Sequence, residues 1–468
     1  MRFKPVVLAA SLIAGPASAN DDIKALLAEV KRLSERIEAL EKNNQALEQS
    51  LASERVSEKE PELVTRLKAV EFQTLSMRKQ ARQIEALEGI TVGANLTSVV
   101  QRVNRAGTAG DISRQSRANY RGDISVTLPG GEIGDIEGSI FTHFRFGQGN
   151  GIGLRPTYAM PNATAFQTNA GPDDSFAVLA QAWYQVKVPL PRDGIKEDSR
   201  QHLHFTAGKI DSFVFFDQNA AADDESTKFL NNVFVHNPLL DAGGDIRADA
   251  YGFAPGAVFS YVNTANTAQV WSLSLGVFSS GPGANFSGSL GTPYVIAQAD
   301  TTWRWNHLPG NYRAYLWTNG RSLGYDDNER RHTGFGLSVD QKVTDDVTVF
   351  GRYGHQGAGK TRFDRALTAG IEITGNGWGR GADSLGIAAG LLRTRASYRR
   401  DSTALDLDGD GALDARASGS ERIGEIYYRF RVNNLLELTP DFQIIQRPGG
   451  VGGAPTVKVL GVRAKLGF

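Results

Sequence analysis

An acidic stretch near the carboxyl end carries the spacing of a calcium-binding loop. Asp406, Asp408, Asp410 and Asp414 offer carboxylates at the positions from which such loops surround the ion. The position of the closing bidentate glutamate holds Ala417 instead. We therefore expect either a solvated acidic loop or a weak calcium site at these four aspartates, and no firm metal site elsewhere.

A second stretch, residues 354–361, matches the P-loop expression for binding nucleotide phosphates. That chemistry needs a buried strand before the loop and a helix whose N-terminus faces the phosphates. The residues before Gly354 instead alternate in polarity and include Arg352, which is typical of a strand with one polar face. We interpret the stretch as a glycine-rich loop, and we expect no nucleotide and no cofactor.

Composition narrows the remaining classes of protein. The chain of 468 residues has 51 Lys and Arg against 51 Asp and Glu, so it lacks the basic excess of a general nucleic-acid binder. It has no cysteine, which excludes a disulfide scaffold and a thiol enzyme. The seven histidines are scattered, and no nucleophile with a partnered base stands out. We do not expect an enzyme.

Most charged candidates lie on segments that alternate in polarity. Residues 136–146 place Ile140 and Phe144 on one face, and Glu137 and Arg145 on the other. Such two-faced strands suit a soluble sandwich, whose apolar face is the core, or an outer-membrane barrel, whose apolar face meets lipid. Periodicity alone does not separate the two. Over residues 178–188 the alternation places Leu179 on the same face as Gln181 and Trp183.

Three features favour the membrane barrel. Long polar loops separate the strands, the chain ends on an alternating strand with Phe468, and aromatic residues lie near strand ends on the apolar face. At about 24 residues for each strand and its turn, residues 89–468 provide roughly 16 strands. We predict an all-β fold, a transmembrane antiparallel β-barrel of about 16 strands. The aromatic residues are Tyr184, Trp303, Trp305, Tyr353 and Tyr428.

Two segments precede the predicted barrel. Residues 1–19 have the basic start, apolar centre and Ala-x-Ala site of a secretory signal peptide. In residues 20–88, apolar residues recur from Ile23 to Leu51 with the 3-4 spacing of an α-helical coiled coil, and Asn44 takes one seam position. An even strand number places this coil in the periplasm. We expect the coil to assemble the protein into a homo-oligomer, a dimer or a trimer.

Several motifs occur in order along the predicted barrel. They are Gly208-Lys209-Ile210-Asp211, Phe216-Asp217-Gln218-Asn219-Ala220, Lys228-Phe229-Leu230-Asn231, Asn237-Pro238, Leu308-Pro309-Gly310-Asn311-Tyr312-Arg313, Phe350-Gly351-Arg352-Tyr353-Gly354 and Pro440-Asp441-Phe442-Gln443. With these motifs the chain resembles the carbohydrate-selective porin family, the OprB type, over most of residues 89–468. The resemblance implies a barrel in the outer membrane of a Gram-negative bacterium that passes sugars or small hydrophilic solutes passively.

A sugar site needs aromatic platforms for the apolar face of the ring and hydrogen-bonding groups of both charges for its hydroxyls. The polar faces of the predicted strands offer such residues, and Trp317 shares one face with its neighbours on the same strand. The pore-lining and solute-binding candidates are Arg145, Glu137, Trp183, Asp300, Arg304, Arg313, Tyr315, Trp317, Arg321, Asp340, Arg352, Glu425, Arg429 and Asp441.

Two alternatives stay open. Charges of both signs disfavour strong ion selectivity, although the arginine excess allows an anion-preferring or general porin. The second alternative is a structural envelope protein that braces the outer membrane through its coiled coil. The expected partners are sugars or small hydrophilic solutes, outer-membrane lipid and further copies of the chain, but no nucleic acid.

Overall fold

The fold comes from a computed structural model of the chain. The structure describes Lys42 and residues 90–106, 113–165, 175–191, 199–246, 248–249, 251–281, 289–407, 411–413 and 416–468. The predicted signal peptide and, apart from Lys42, the predicted coiled coil lie outside the described residues.

Sixteen antiparallel strands form a closed barrel, which confirms the predicted architecture. Each strand pairs with the next along the chain, and the first pairs with the last through Asn95 and Gly467. The strands are β1 (Thr91–Ala106), β2 (Ser113–Ile133), β3 (Ile136–Gln148), β4 (Phe176–Leu190), β5 (Gln201–Ile210), β6 (Ala254–Asn263), β7 (Trp271–Phe278), β8 (Tyr294–Trp305), β9 (Leu308–Leu323), β10 (Glu329–Lys342), β11 (Val347–Ala358), β12 (Phe363–Thr374), β13 (Ser384–Thr394), β14 (Ser420–Arg431), β15 (Leu436–Gln446) and β16 (Val457–Gly467).

Two short helices join the strands: α1 (Asn232–Val235) and α2 (Ala396–Asp401). No helix in the described part of the chain is long and apolar enough to cross a membrane.

Burial is inverted relative to a soluble protein. Leu367 and Leu460 are 52% and 63% exposed on the outside of the barrel, whereas the inward side chain of Arg463 is 1% exposed. Alternation along each strand produces this arrangement, because successive side chains point to opposite faces of the sheet. An apolar outer band and a polar interior are the features of a barrel whose outer surface meets lipid.

The two ends of the barrel differ. Short connections such as residues 306–307 and 343–346 lie at one end, the turn end, where Phe468 also lies beside Ala94. Long connections, including residues 211–253 and 395–419, leave the opposite end, the loop end. Outward aromatic rings gather near the turn end, where the Trp378 Nε1 donates to the Tyr428 hydroxyl at 2.9 Å. Such rings are typical of a membrane interface.

One strand departs from simple alternation. His143 pairs with Gln181 but Phe144 pairs with Leu179, so Ala180 is left as a β-bulge in β4. An extra residue reverses which face the following side chains occupy. Leu179 therefore faces outward, and the expectation that it shares a face with Gln181 is wrong.

The glycine-rich stretch at residues 354–361 is mostly strand. Residues 354–358 end β11, a short turn follows, and β12 begins at Phe363. No helix follows the stretch whose N-terminus could face phosphates.

Candidate functional site

The longest connection of the barrel folds into its lumen. Residues 211–253, here named the inward segment, join β5 to β6. Their polar groups bond inward-facing side chains on β8, β9, β10, β11, β14 and β15, which lie on different sides of the barrel. Several of the motifs on which the family resemblance rests, from Phe216 to Pro238, lie in this segment. The inward segment thus narrows the passage through the barrel.

Asp217 and Arg352 form the central anchor of the inward segment. The Arg352 Nε donates to Asp217 Oδ1 at 3.1 Å, and its Nη1 donates to the Phe234 carbonyl at 2.7 Å. The Tyr315 hydroxyl donates to the same Asp217 oxygen at 2.8 Å. Asp217 Oδ2 accepts from the Asn237 backbone at 2.5 Å. Arg352 and Tyr315, two of the sequence candidates, therefore hold the segment against β9 and β11.

A second anchor surrounds Asp245. The Trp317 Nε1 and the Gln356 Nε2 each donate to Asp245 Oδ2 at 2.7 Å, and His332 Nδ1 lies 2.6 Å from Oδ1. Trp317 points inward, as the strand alternation predicts, but it is only 2% exposed. The Trp317 ring is therefore not an open platform in the lumen, because the inward segment covers it.

Glu425 and Asp441, on β14 and β15, lie beneath the middle of the inward segment. The carboxylate of Glu425 accepts from the backbone of Leu230 at 2.5 Å and of Asn231 at 3.0 Å. The Gln443 Nε2 donates to Asp441 Oδ1 at 2.8 Å. Like Trp317, these two carboxylates are buried by the segment rather than open to the passage.

A shorter connection supports the inward segment from one side. Residues 149–165, in the connection from β3 to β4, pack against it through the Ala163 backbone, which donates to the Leu230 carbonyl at 2.8 Å. The Thr157 hydroxyl donates to buried Glu421 on β14 at 2.5 Å. Two connections therefore fill the part of the lumen next to β14 and β15.

A network of charges lies on the wall of β2 and β3. Asp123 Oδ2 accepts from the Arg121 Nε at 2.8 Å, and its Oδ1 accepts from the Arg145 Nε at 2.5 Å. The Arg121 Nη1 reaches Glu225 of the inward segment at 2.5 Å. His143 Nε2 lies 2.8 Å from Asp123 Oδ1. We name these five residues the charged network. Of its members, only Arg145 is among the residues that the sequence predicts to line the pore.

An aromatic patch adjoins the charged network. Trp183 on β4 stacks on Phe141 with 4.7 Å between ring centroids, and Phe215 of the inward segment meets Trp183 edge-on at 6.0 Å. The three rings are half-buried. The Trp183 Nε1 donates to Gln181 Oε1 at 3.4 Å, and Gln181 Nε2 lies 3.3 Å from His143 Nδ1. The patch and the network therefore form one continuous surface.

Three further candidates meet on β8, β9 and β10. The Arg313 Nη1 lies 3.0 Å from Asp340 Oδ2, and the Asn311 Nδ2 donates to Asp340 Oδ1 at 2.6 Å. Asp300 is the register partner of Arg313 and accepts a hydrogen bond from the Ser272 hydroxyl. Arg313, Asp340 and Asp300 thus bring charges of both signs together on the wall opposite the charged network in strand order.

Four candidates lie apart from these groups. Glu137 lines a pocket of about 440 Å³ at the turn end, 3.9 Å from Lys187. Arg304 and Arg429 also lie toward the turn end, on β8 and β14. Arg321 pairs with Glu329 at 3.0 Å near the loop end.

Four titratable groups of the inward segment have shifted pKa values, and all lie outside the spanning strands: burial raises the pKa of Asp211 and of Asp223, and Asp224 and His236 are also shifted. Burial by itself raises the pKa of Asp224, but the charge of Lys465 and hydrogen bonds from Ser226 and Thr227 hold it well below its usual range. Burial lowers the pKa of His236, but the hydrogen bond and charge of Asp241 outweigh burial and leave it raised.

The described residues contain no group of three or more potential ligands placed to hold a metal ion. Of the calcium-loop candidates, Asp408, Asp410 and Asp414 lie outside the described residues. Asp406 accepts a hydrogen bond from the Gly411 backbone at 3.0 Å.

Several solved structures are similar to this chain. OprB of Pseudomonas putida has a TM-score of 0.65 and 16% sequence identity, with 81% of this chain and 94% of that chain covered. The channel DcaP of Acinetobacter baumannii has a TM-score of 0.48 and 11% identity, with 81% and 97% covered. No curated protein matches the chain.

A family model described as carbohydrate-selective porin, OprB family, matches residues 139–468, more than two thirds of the chain. The match spans β4 to β16, most of β3 and the whole inward segment. Family and fold are those of a channel rather than of an enzyme. The chain therefore belongs to the carbohydrate-selective porin family, OprB, and is a porin of the Gram-negative outer membrane.

Proposed function

We propose that the channel passes carbohydrates or similar small hydrophilic solutes by passive diffusion, and that they bind at Trp183 and the charged network. One observation supports this most: half-buried rings adjoin charges of both signs on one continuous surface. The Trp183 face suits the apolar face of a sugar ring. Arg145 offers donors and Glu225 offers acceptors to its hydroxyls.

Mixed charge also fits a neutral solute better than an ion. Asp123 and Glu225 balance Arg121 and Arg145 at hydrogen-bond distance. A selective ion filter carries rings of one sign, whereas this wall carries paired charges. Arg313, Asp300 and Asp340 extend the same mixed character to the other side. An anion-preferring or general porin remains the alternative for the same lumen.

The proposal is tested by sugar block of single-channel current in planar bilayers. Trp183→Ala should weaken the block constant about fivefold, which corresponds to about 1 kcal/mol for one aromatic stacking contact. Trp183→Phe should keep most of the block. Trp303→Ala is the matched control, because Trp303 is an outward, exposed ring. A block constant unchanged in Trp183→Ala contradicts the site.

Reversal potentials in a salt gradient separate the alternative. A strong anion preference combined with no sugar block would favour the anion-preferring porin. Arg121→Gln should shift the reversal potential toward cations, because it removes one fixed positive charge from the passage.

The predicted leading segments fit the same function. We place the turn end in the periplasm, because bacterial barrels with an even strand number have short periplasmic turns. Residues 20–88 then lie in the periplasm and join copies of the chain into a dimer or trimer. Sedimentation of the peptide 20–88 tests this assembly, and a monomer at high micromolar concentration would contradict it. If deletion of residues 20–88 causes envelope blebbing while conductance stays unchanged, the coil has a bracing role.

A further inference from the structure

On one half of the barrel, the row of outward-facing side chains along a strand often ends in a cation at the loop end. On β13 the row runs Leu385, Ile387, Ala389 and Leu391, and its last member is Arg393. Five other strands of this half follow the same rule. The six cations, named the basic rim, are Arg331 on β10, Arg365 on β12, Arg393 on β13, Arg422 on β14, Lys458 on β16 and Arg102 on β1.

The basic rim places like charges side by side. Arg365 and Arg393 are direct register partners on neighbouring strands, and both are exposed. Arg422 is the partner of Leu391, so it lies one outward position from Arg393 on the next strand. Opposed side chains on antiparallel strands lie about 5 Å apart at Cβ, where like charges repel. Among the described residues, no acid forms an ion pair with these three arginines.

The rim lies on the half of the barrel from β10 to β1. Outside that half, Arg114 ends the outward side chains of β2, and Lys209 ends those of β5 and pairs with Asp249 at 2.9 Å. The outward rows of β6, β7 and β8 hold rings and aliphatic side chains, with no charged residue among those described. General solubility would spread such cations evenly around the barrel, whereas most of them lie on this half. The rim also lies where the apolar band stops, the depth at which lipid headgroups begin.

We propose that the basic rim binds the phosphate groups of the glycolipid that forms the outer leaflet, lipopolysaccharide. The proposal rests on the loop end facing outward, and it is independent of which solute the channel carries. Guanidinium groups match phosphate oxygens through two parallel hydrogen bonds. A phosphate bound between Arg365 and Arg393 would neutralise the two opposed charges. No described residue of the chain neutralises them.

The experiment measures binding of purified full-length protein in detergent to lipopolysaccharide that carries both lipid A phosphates. The test variant is Arg365→Gln with Arg393→Gln. The matched control removes two other exposed loop-end charges, Arg400→Gln with Arg416→Gln, which lie in the connection from β13 to β14. The same titrations use phosphatase-treated lipopolysaccharide and phosphatidylglycerol.

The test variant should bind about 30-fold more weakly, which corresponds to about 1 kcal/mol for each arginine, while the control keeps its affinity. Arg365→Lys with Arg393→Lys should lose less, because it keeps the charge. Equal weakening in the control, equal binding of phosphatase-treated lipid, or equal binding of phosphatidylglycerol would each overturn the proposal. Heat-shifted gel mobility checks folding, and if the test variant does not fold, Arg422→Gln takes its place.

Discussion

Arg352 offers the sharpest test of how the inward segment is held. Arg352→Gln removes a buried positive charge that binds the segment at both Asp217 and Phe234. Asp217 is then left as a buried carboxylate with one charged partner fewer. Breaking a buried pair in this way costs about 3–5 kcal/mol. The strands keep their own hydrogen bonds, so the loss should fall on seating of the segment rather than on closure of the barrel.

A loss of about 4 kcal/mol changes the ratio of seated to released segment by nearly three orders of magnitude. We expect larger and noisier single-channel currents in planar bilayers. We also expect faster trypsin cleavage at Lys228, which lies in the inward segment. Both signals come from the same release, so they should change together.

Two further variants make the result interpretable. Arg380→Gln removes an arginine whose partner Asp383 lies in the connection from β12 to β13, outside the lumen, and it should change neither current nor cleavage. Asp217→Asn with Arg352→Gln should be less impaired than Arg352→Gln alone, because no charge stays buried. Asparagine suits the backbone at position 217, where φ is 55°. Currents and cleavage of Arg352→Gln that match the unmodified protein would refute the anchor.

The other predictions concern the second anchor, pH and the barrel itself. Trp317→Phe should lower stability by about 1–3 kcal/mol in thermal unfolding, because Asp245 loses a buried donor, and it should leave sugar block unchanged because the ring is covered. Because the pKa of His236 is raised in the folded state, its protonation stabilises the seated segment at low pH, and this stabilisation is lost as pH rises through the folded pKa. Trypsin cleavage, normalised at each pH to cleavage of an unstructured peptide, should therefore be faster at about pH 8 than at about pH 6. His236→Gln should abolish that difference, and a difference that persists would refute it. The unboiled protein should migrate differently from the boiled protein in SDS, because a closed barrel has no open strand edge, and identical mobility would contradict closure.

Most of the fold prediction rests on the alternation of polar and apolar residues along the strands. The faces of Arg313, Tyr315 and Trp317 follow from their spacing, because a strand has a period of two. The bulge at Ala180 does not show in the sequence, because it lies at the end of the apolar run 176–180, where an extra residue leaves no mark in the alternation. For this reason the alternation predicts the wrong face of the strand for Leu179.

The inward segment was harder to predict. Most of its wall partners are more than 70 residues away in the sequence, as with Asp245 and Trp317. No local pattern reports such contacts. A signal was nevertheless present in residues 228–234, where apolar and asparagine residues are mixed in a way unusual for an exposed loop. Arg121 and Asp123 also sat at alternate positions of β2, and that spacing could have added them to the candidates.

The pairing of β1 with β16 has a consequence for the order in which the protein assembles. Chain synthesis and export deliver β1 first, yet the partner of Asn95 is Gly467. Until β16 arrives, both edges of the growing sheet carry unpaired amide and carbonyl groups that hydrocarbon cannot satisfy. Arg463 on β16 also donates to the carbonyls of Glu225 and Lys228 in the inward segment. The last strand therefore completes the wall and one attachment of the inward segment in the same step, so a chain that stalls before β16 lacks both.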